Sequence, residues 1–190
     1  MAYHHGNLRA ELLARAETVL AEDGVGALSL RSLARDLGVS HAAPSRHFAD
    51  RQALLDALAV EGFERLGAEL AESTSGDGGF EDRLTWLALT YVRFATRYPA
   101  LLEVMYACKY RDPQDKVRAA SAACGEILLD LFDGSGASVA DAERFGVILL
   151  AALHGIAALT AADSLPPGSS ADDLAADTVG RLLRGSRLTG

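Results

Sequence analysis

Small and polar side chains between residues 40 and 46 are the best candidates in this sequence for contacting another molecule, because they suit the edges of DNA bases. They are Ser40, His41, Ala42, Ala43, Ser45 and Arg46. Arg46 can bind a guanine through two hydrogen bonds, although a phosphate contact stays open. Ala42 and Ala43 are small enough to touch thymine methyl groups. Upstream, Ser29 and Arg31 suit a phosphate, because a helix N-terminus and a guanidinium both attract anions.

A short helix and a tight turn are predicted just before these side chains. Ser29 is a good N-cap for a helix over residues 30–37. Gly38 can adopt the left-handed conformation that a tight turn needs, and the small Ala34 lies where a second helix would cross. This spacing predicts the first half of a helix–turn–helix. An ordinary helical hairpin within a bundle is the alternative, although it does not require this spacing.

A third helix is predicted over residues 41–47, capped by Ser40 and closed by Phe48. Its first residues would point into the major groove of DNA and carry the candidate base contacts. Pro44 lies in the first turn, where its missing N–H removes at most one backbone hydrogen bond. The sequence therefore predicts a complete helix–turn–helix near the N-terminus.

The rest of the chain predicts helices without strand-like alternation. The predicted helices cover residues 7–23, 30–37, 41–47, 50–70, 80–98, 99–108, 113–132, 139–162 and 171–183. The glycine-rich run at 73–79 is the clearest break. We expect an all-α chain of about nine helices. A three-helix, helix–turn–helix head would occupy residues 1–51, and a helical regulatory and dimerisation domain would occupy residues 52–190.

Charge is distributed unevenly along the chain. The net charge is -8, yet residues 1–51 hold six arginines and six acidic residues. Only this segment would meet DNA without net repulsion, which permits DNA binding without proving it. The sequence has no glycine-rich phosphate loop, HExxH, CxxC or GxSxG motif, so an enzyme or carrier on a helical bundle is the weaker alternative and no cofactor is expected.

Metal, redox and membrane roles find little support in the sequence. Cys108 and Cys124 lie apart from any CxxC motif and are expected to be reduced, buried thiols. His4 and His5 lack the further ligands of a metal site. The N-terminus lacks the features of a signal peptide, and the apolar residues 145–162 suit a buried helix better than a bilayer crossing. We expect a cytoplasmic protein.

Two stretches carry a family resemblance. The run GVSHAAPSRHFADRQALLDAL resembles the DNA-binding segment of the TetR family of bacterial repressors, and YHHGNLRAELLARAETVLAEDG followed by LSLRSLARDLGVS is similar to the first two helices of one branch. That branch has a His-Gly pair late in its ligand domain, as at residues 153–155 here. The resemblance implies phosphate contacts by His47 and Arg51, although His47 could instead be a cap or core residue. Relatives usually have a tyrosine in place of Ser45.

The same resemblance implies a homodimer formed through the last two helices. Residues 139–162 are apolar nearly all round, as expected for a helix enclosed by its own domain and a second copy. Two heads would meet two half-sites, which predicts pseudo-palindromic operator DNA. The resemblance also implies release of the DNA when a small molecule binds.

Aromatic residues cluster in the C-terminal part and predict either a cavity wall or a plain aromatic core. The candidate ligand-binding residues are Trp86, Tyr91, Phe94, Met105, Tyr106, Leu149 and His154. His154 is either a satisfied core histidine or, as the resemblance favours, a residue facing the cavity. A small apolar or aromatic ligand would fit such a wall. A regulator without a ligand, controlled by a protein partner or by abundance, stays open.

Overall fold

The computed structural model describes residues 8–109, 111, 116–133 and 135–186, and all regular structure within them is helical. The α-helices are α1 (Leu8–Asp23), α2 (Leu30–Asp36), α3 (Arg51–Thr74), α4 (Phe80–Arg97), α5 (Pro99–Lys109), α6 (Lys116–Asp130), α7 (Val139–Ala161) and α8 (Ala171–Gly185). Single-turn 3-10 helices form at Val25–Ala27 and Pro44–Arg46. The all-α prediction is confirmed, with eight α-helices in the described residues where about nine were expected.

The helices form two compact units. The first unit contains residues 1–63 and 100–119, and the second contains residues 64–99 and 120–190. Helices α3, α5 and α6 therefore contribute residues to both units. The assignment of separate functions to residues 1–51 and 52–190 stays a prediction. His4 and His5, which were not expected to form a metal site, lie outside the described residues.

The core of the first unit begins with one apolar stripe of α1. Its buried members are Leu12, Leu13, Ala16, Val19 and Leu20. They repeat at helical spacing, which is why α1 forms and which side it buries. At its outer side, Arg15 donates from Nε and Nη2 to one carboxylate oxygen of Asp36, at 3.1 and 3.0 Å. This ion pair fastens α1 to the end of α2, although its exposure keeps its contribution to stability small.

Helix α5 packs against the first half of α3 within the same unit. A Cβ atom on the buried Gly62 would lie 2.7 Å from the Sδ atom of Met105, so the two helices approach closely there. Near the start of α3, the amide of Gln52 lies 3.6 Å from the thiol of Cys108. Burial raises the pKa of Cys108 to about 11, and the neighbouring carboxylate of Asp56 adds to that shift. The thiol is therefore a packing group and a poor nucleophile.

The second unit is built around contacts among α4, α7 and α8. Phe94 of α4 and Leu149 of α7 are fully enclosed. At the edge of this core, Arg93 donates to both carboxylate oxygens of Asp172, with a shortest distance of 2.6 Å. That hydrogen bonding and the carboxylate charge raise the pKa of the Arg93 guanidinium. The ion pair joins α4 to the first turn of α8.

One face of α7 is exposed in the single chain. The buried face carries residues such as Phe145, whereas the opposite face, which we name the α7 stripe, comprises Val147, Ile148, Ala151, His154, Gly155, Ala158 and Leu159. Val147 is 68% exposed, and Ile148 and Leu159 are each about half exposed, at 48% and 49%. The chain alone therefore does not enclose this helix, and its burial by its own domain together with a second copy stays a prediction.

Helix α7 is also the one helix among the described residues that is long and apolar enough to cross a membrane. Its most apolar window is 28% buried within the chain. Length and composition alone do not separate a membrane span from a helix that is covered by another protein surface.

Cys108 provides a chemical check on the α3–α5 packing. At pH 8 the folded protein should react with iodoacetamide much more slowly at Cys108 than at the half-buried Cys124, since only about one Cys108 thiol in a thousand is ionised. The Cys108 rate should rise about tenfold per pH unit between pH 8 and pH 10. Peptide mass spectrometry measures both sites, and urea-unfolded protein, in which the sites should react alike, is the control. Equal rates in the folded protein would contradict the buried position.

Candidate nucleic-acid interface

Local hydrogen bonds close both ends of α2. The Oγ atom of Ser29 accepts a hydrogen bond from the backbone N–H three residues later at 3.0 Å, which confirms the predicted N-cap. At the other end, the N–H of Val39 donates to the carbonyl of Ala34 at 2.9 Å, and that of Gly38 donates to Arg35 at 3.1 Å. This pair of bonds is a Schellman motif. Gly38 has φ +67°, the left-handed conformation predicted for the turn.

The segment after the turn is not the α-helix predicted for residues 41–47. A turn in which the N–H of Ala43 donates to the carbonyl of Ser40 at 2.9 Å leads into the 3-10 helix Pro44–Arg46. Pro44 has no N–H, and its ring crowds the carbonyl of Ser40, four residues earlier. The N–H groups of Arg46 and His47 donate to carbonyls three residues back, at 3.2 and 2.9 Å. With a proline at this position, the segment forms one 3-10 turn in place of the predicted α-helix.

Two apolar residues anchor residues 39–50, which we name the interface segment, to the first unit. Pro44 is buried and Phe48 is 2% exposed. The guanidinium of Arg9 lies 5.6 Å from the centre of the Phe48 ring. The predicted base-contacting residues are accessible: Ser40, His41, Ala42, Ser45 and Arg46 are exposed, as is His47, and Ala43 is half-buried. The segment thus exposes small and polar side chains, while two buried apolar side chains hold it against the first unit.

An open groove of about 660 Å³ runs along the interface segment. Its lining consists of Leu8, Gly38, Val39, Ser40, Ala43, Arg46 and His47. Four of the predicted DNA-contacting residues therefore share one concave surface with the start of α1. Arg46 supplies a cation there, and Ser40 supplies a hydroxyl, which are groups suited to base edges and phosphates.

The predicted phosphate contacts outside the groove have different surroundings. Ser29 is half-buried, and its hydroxyl donates to the hydroxyl of Ser32 at 2.8 Å. Arg31 is exposed in the first turn of α2. Arg51 is exposed, but its Nε donates to the carbonyl of Leu28 at 2.9 Å and its Nη2 donates to the carbonyl of Val25. The sequence carried no signal for these Arg51 contacts, because every residue offers a carbonyl.

The predicted ligand-binding residues are divided between the units. Trp86, Tyr91, Phe94, Leu149 and His154 belong to the second unit, whereas Met105 and Tyr106 belong to the first. The buried Tyr91 makes a hydrogen bond of 3.0 Å through its hydroxyl to Nδ1 of His154. His154 is exposed on the α7 stripe, so in the single chain it is not an enclosed core histidine.

The second unit also contains a groove of about 570 Å³ between the start of α7 and the end of α8. Its charged lining residues are Asp141, Arg144 and Arg181, and none of the predicted ligand-binding residues lines it. Within residues 8–109, 111, 116–133 and 135–186, no cluster of three or more histidine, cysteine or acidic residues could hold a metal ion.

Family models match both parts of the chain. Residues 12–58 match the model for bacterial regulatory proteins of the tetR family. Residues 84–182 match the model of the tetracyclin repressor-like C-terminal domain. The first match contains the helix–turn–helix, and the second contains the Tyr91–His154 pair and the α7 stripe. No curated protein sequence matches the chain.

Solved structures share the whole fold. A protein of unknown function from Rhodococcus sp. RHA1 is 41% identical, with a TM-score of 0.87 over 97% of this chain and 98% of that one. A tetR-family regulatory protein from Rhodococcus RHA1 is 22% identical, with a TM-score of 0.68 over 93% and 95%. A TetR variant from Acinetobacter baumannii AYE in complex with minocycline is 21% identical, with a TM-score of 0.66 over 97% and 96%.

The turn after α2 can be tested by one glycine substitution. Gly38→Ala should lower the free energy of unfolding by about 1–2 kcal/mol, because a Cβ disfavours a left-handed backbone even though nothing lies within 4 Å of the new atom. Gly26→Ala is the control, since Gly26 has equal space without a positive φ, and it should change stability by less than about 0.5 kcal/mol. Urea unfolding measures both. Equal effects would show that the left-handed turn is not required.

Proposed function

Because the chain belongs to the TetR family of bacterial regulatory proteins, we propose that it is a repressor that binds operator DNA and leaves it when a small molecule binds. Members of this family are DNA-binding transcriptional regulators rather than enzymes. The observation that carries the proposal is the accessible set of small and polar side chains on the interface segment, held by the buried Pro44 and Phe48. Its place of action would be the cytoplasm, where the DNA is.

Base edges are the proposed targets of the interface segment. The proposed base-contacting residues are Ser40, His41, Ala42, Ala43, Ser45 and Arg46. Arg31 and His47 would contact phosphates beside them, and the N-cap at Ser29 would place the N-terminus of α2 against the backbone. A single 3-10 turn carries fewer side chains into the groove than a full recognition helix does. We therefore infer that each half-site has a short sequence-specific core.

A second copy of the chain is the proposed cover of the α7 stripe. The large apolar residues of the stripe are 48–68% exposed, and the small Ala151, Gly155 and Ala158 between them permit close approach of a partner helix. Two such copies would carry two heads. The expected operator is therefore a pseudo-palindrome with two half-sites.

The proposed ligand response rests on the C-terminal domain. A TetR variant of the same fold was solved with minocycline, and the C-terminal match here includes the buried Tyr91 with its bond to His154. We propose that the aromatic residues of α4 contact a small apolar or aromatic ligand, and that the chain belongs to the branch with a His-Gly pair. A regulator without a ligand is the alternative, since the charged groove in the second unit contains none of the predicted ligand-binding residues.

Binding to duplexes from the region upstream of the chain's own gene tests the regulator proposal. Gel shifts should show binding that weakens steeply between 50 and 200 mM salt, since the release of counterions contributes to the affinity for DNA. Heparin-like polyanions provide a control for binding by charge alone. Absence of retardation of every duplex at low salt would refute the proposal.

Substitution of Arg46 tests whether the protein contacts base edges directly. Arg46→Ala should remove discrimination at one base pair per half-site, a loss of about 1–3 kcal/mol there, because the two-donor contact with a guanine is lost. Arg35→Ala is the matched control, since its side chain is 75% exposed and pairs with Asp36 on α2. Binding to a set of single-base operator variants measures both. A loss that is uniform over all sequences would instead assign Arg46 to a phosphate.

A charge on the α7 stripe tests the homodimer. Val147→Glu should convert the protein to a monomer at micromolar concentration and weaken operator binding strongly, since an unpaired carboxylate would be buried between the copies. Ala123→Glu adds the same charge on the exposed side of α6 and should leave the dimer intact. Analytical ultracentrifugation measures the mass. A monomeric parent protein, or a dimeric Val147→Glu variant, would refute this interface.

A further inference from the structure

Arg51 connects the two ends of the helix–turn–helix. It is the first residue of α3, and its Nε donates at 2.9 Å to the carbonyl of Leu28, which directly precedes the N-cap of α2. Its Nη2 donates to the carbonyl of Val25, at the start of the preceding 3-10 helix. The side chain therefore closes a loop across 23 positions of the sequence, and that loop contains α2 and the whole interface segment.

The interface segment needs such a closure because its own hydrogen bonds are few. Its only regular element is the single turn Pro44–Arg46, which lacks the repeated bonds that make a longer helix cooperative. Two buried side chains fix its middle, at Pro44 and Phe48. Each backbone residue that is left loose must be ordered upon binding, at a cost in conformational entropy. Fixing the end of the segment against the residues before α2 in the free protein lowers that cost.

Arginine suits this task better than lysine does. A guanidinium presents several N–H donors in a rigid fork and can reach two carbonyls at once, whereas an ammonium is a compact point charge on a flexible stem. The start of α3 does not need Arg51 for its own cap. Asp50 already accepts a hydrogen bond from the N–H of Ala53 at 2.8 Å. The contacts of Arg51 with Val25 and Leu28 therefore serve the connection between elements and not the helix itself.

We propose that Arg51 is a positioning residue, which holds the interface segment in its DNA-binding shape before DNA arrives. The proposal rests on the proposed DNA-binding function, and it departs from the sequence expectation that Arg51 acts through a phosphate. The two roles have different signatures. A phosphate contact strengthens binding to every sequence and contributes to the salt dependence. A preorganised segment strengthens binding to the operator more than binding to unrelated DNA.

Arg51→Lys separates these roles because it keeps the charge and removes the fork. We expect operator affinity to fall about tenfold, with affinity for unrelated duplex DNA and the salt slope both unchanged. Arg35→Lys is the control for the same exchange on an exposed arginine of α2, and it should retain the parent ratio of operator to unrelated binding. An unchanged ratio in Arg51→Lys would overturn the proposal.

Arg51→Met gives the complementary measurement. Positioning predicts a loss of operator preference in this variant as well, whereas a phosphate role predicts an equal loss on both DNAs and a salt slope reduced by about one. The phosphate pattern would overturn the proposal. Circular dichroism at the assay temperature verifies that both variants are folded, so that a general loss of structure is not mistaken for a loss of positioning.

Hydrogen exchange tests the effect of the Arg51 contacts in the absence of DNA. The bonded amides of Ala43, Arg46, His47 and Phe48 should exchange faster in Arg51→Lys than in the parent, while the amides of α1 keep their rates. Identical exchange in residues 43–48 would overturn the proposal even if no duplex binds. Failure of the parent protein to bind any DNA would refute the regulator function but not the positioning role of Arg51, since hydrogen exchange reports on that role without DNA.

Discussion

The missing N–H group at Pro44 is the constraint on which the shape of the interface segment depends. Without that donor, a helix over residues 41–47 would lack the bond to the carbonyl of Ser40, and a single 3-10 turn forms at Pro44–Arg46 instead. The chain compensates with contacts made from outside the segment. The Schellman bonds at Gly38 fix its beginning, Phe48 enters the core, and Arg51 fixes its end. The interface is therefore shaped by its surroundings more than by its own backbone.

The second unit combines a closed core with an open face. Arg93 and Asp172 join α4 to α8 at the edge of the core, and Tyr91 reaches from the buried side of α4 to His154 on the α7 stripe. That single hydrogen bond links the aromatic residues proposed to contact a ligand with the surface proposed to contact a second copy. Tyr91 therefore places the two proposed surfaces one hydrogen bond apart.

Sequence reasoning succeeded where local chemistry decides structure and failed where distant contacts decide it. The spacing of apolar residues placed α1 and α7 within a residue of their ends, and Ser29 and Gly38 marked the two ends of α2. The contacts of Arg51 were missed because their acceptors are backbone carbonyls, which have no residue identity. The apolar composition of α7 could not reveal which of its sides the chain itself covers.

The exposed α7 stripe also makes the folded fraction of the protein depend on its concentration in the cell. Under the proposed pairing, burial of Val147, Ile148 and Leu159 between copies stabilises only the paired state, so dilution shifts the balance towards unpaired and unfolded chains together. At low copy number the pool of paired regulator would shrink faster than the number of chains made. Control of transcription would then respond to expression level with a threshold rather than in proportion.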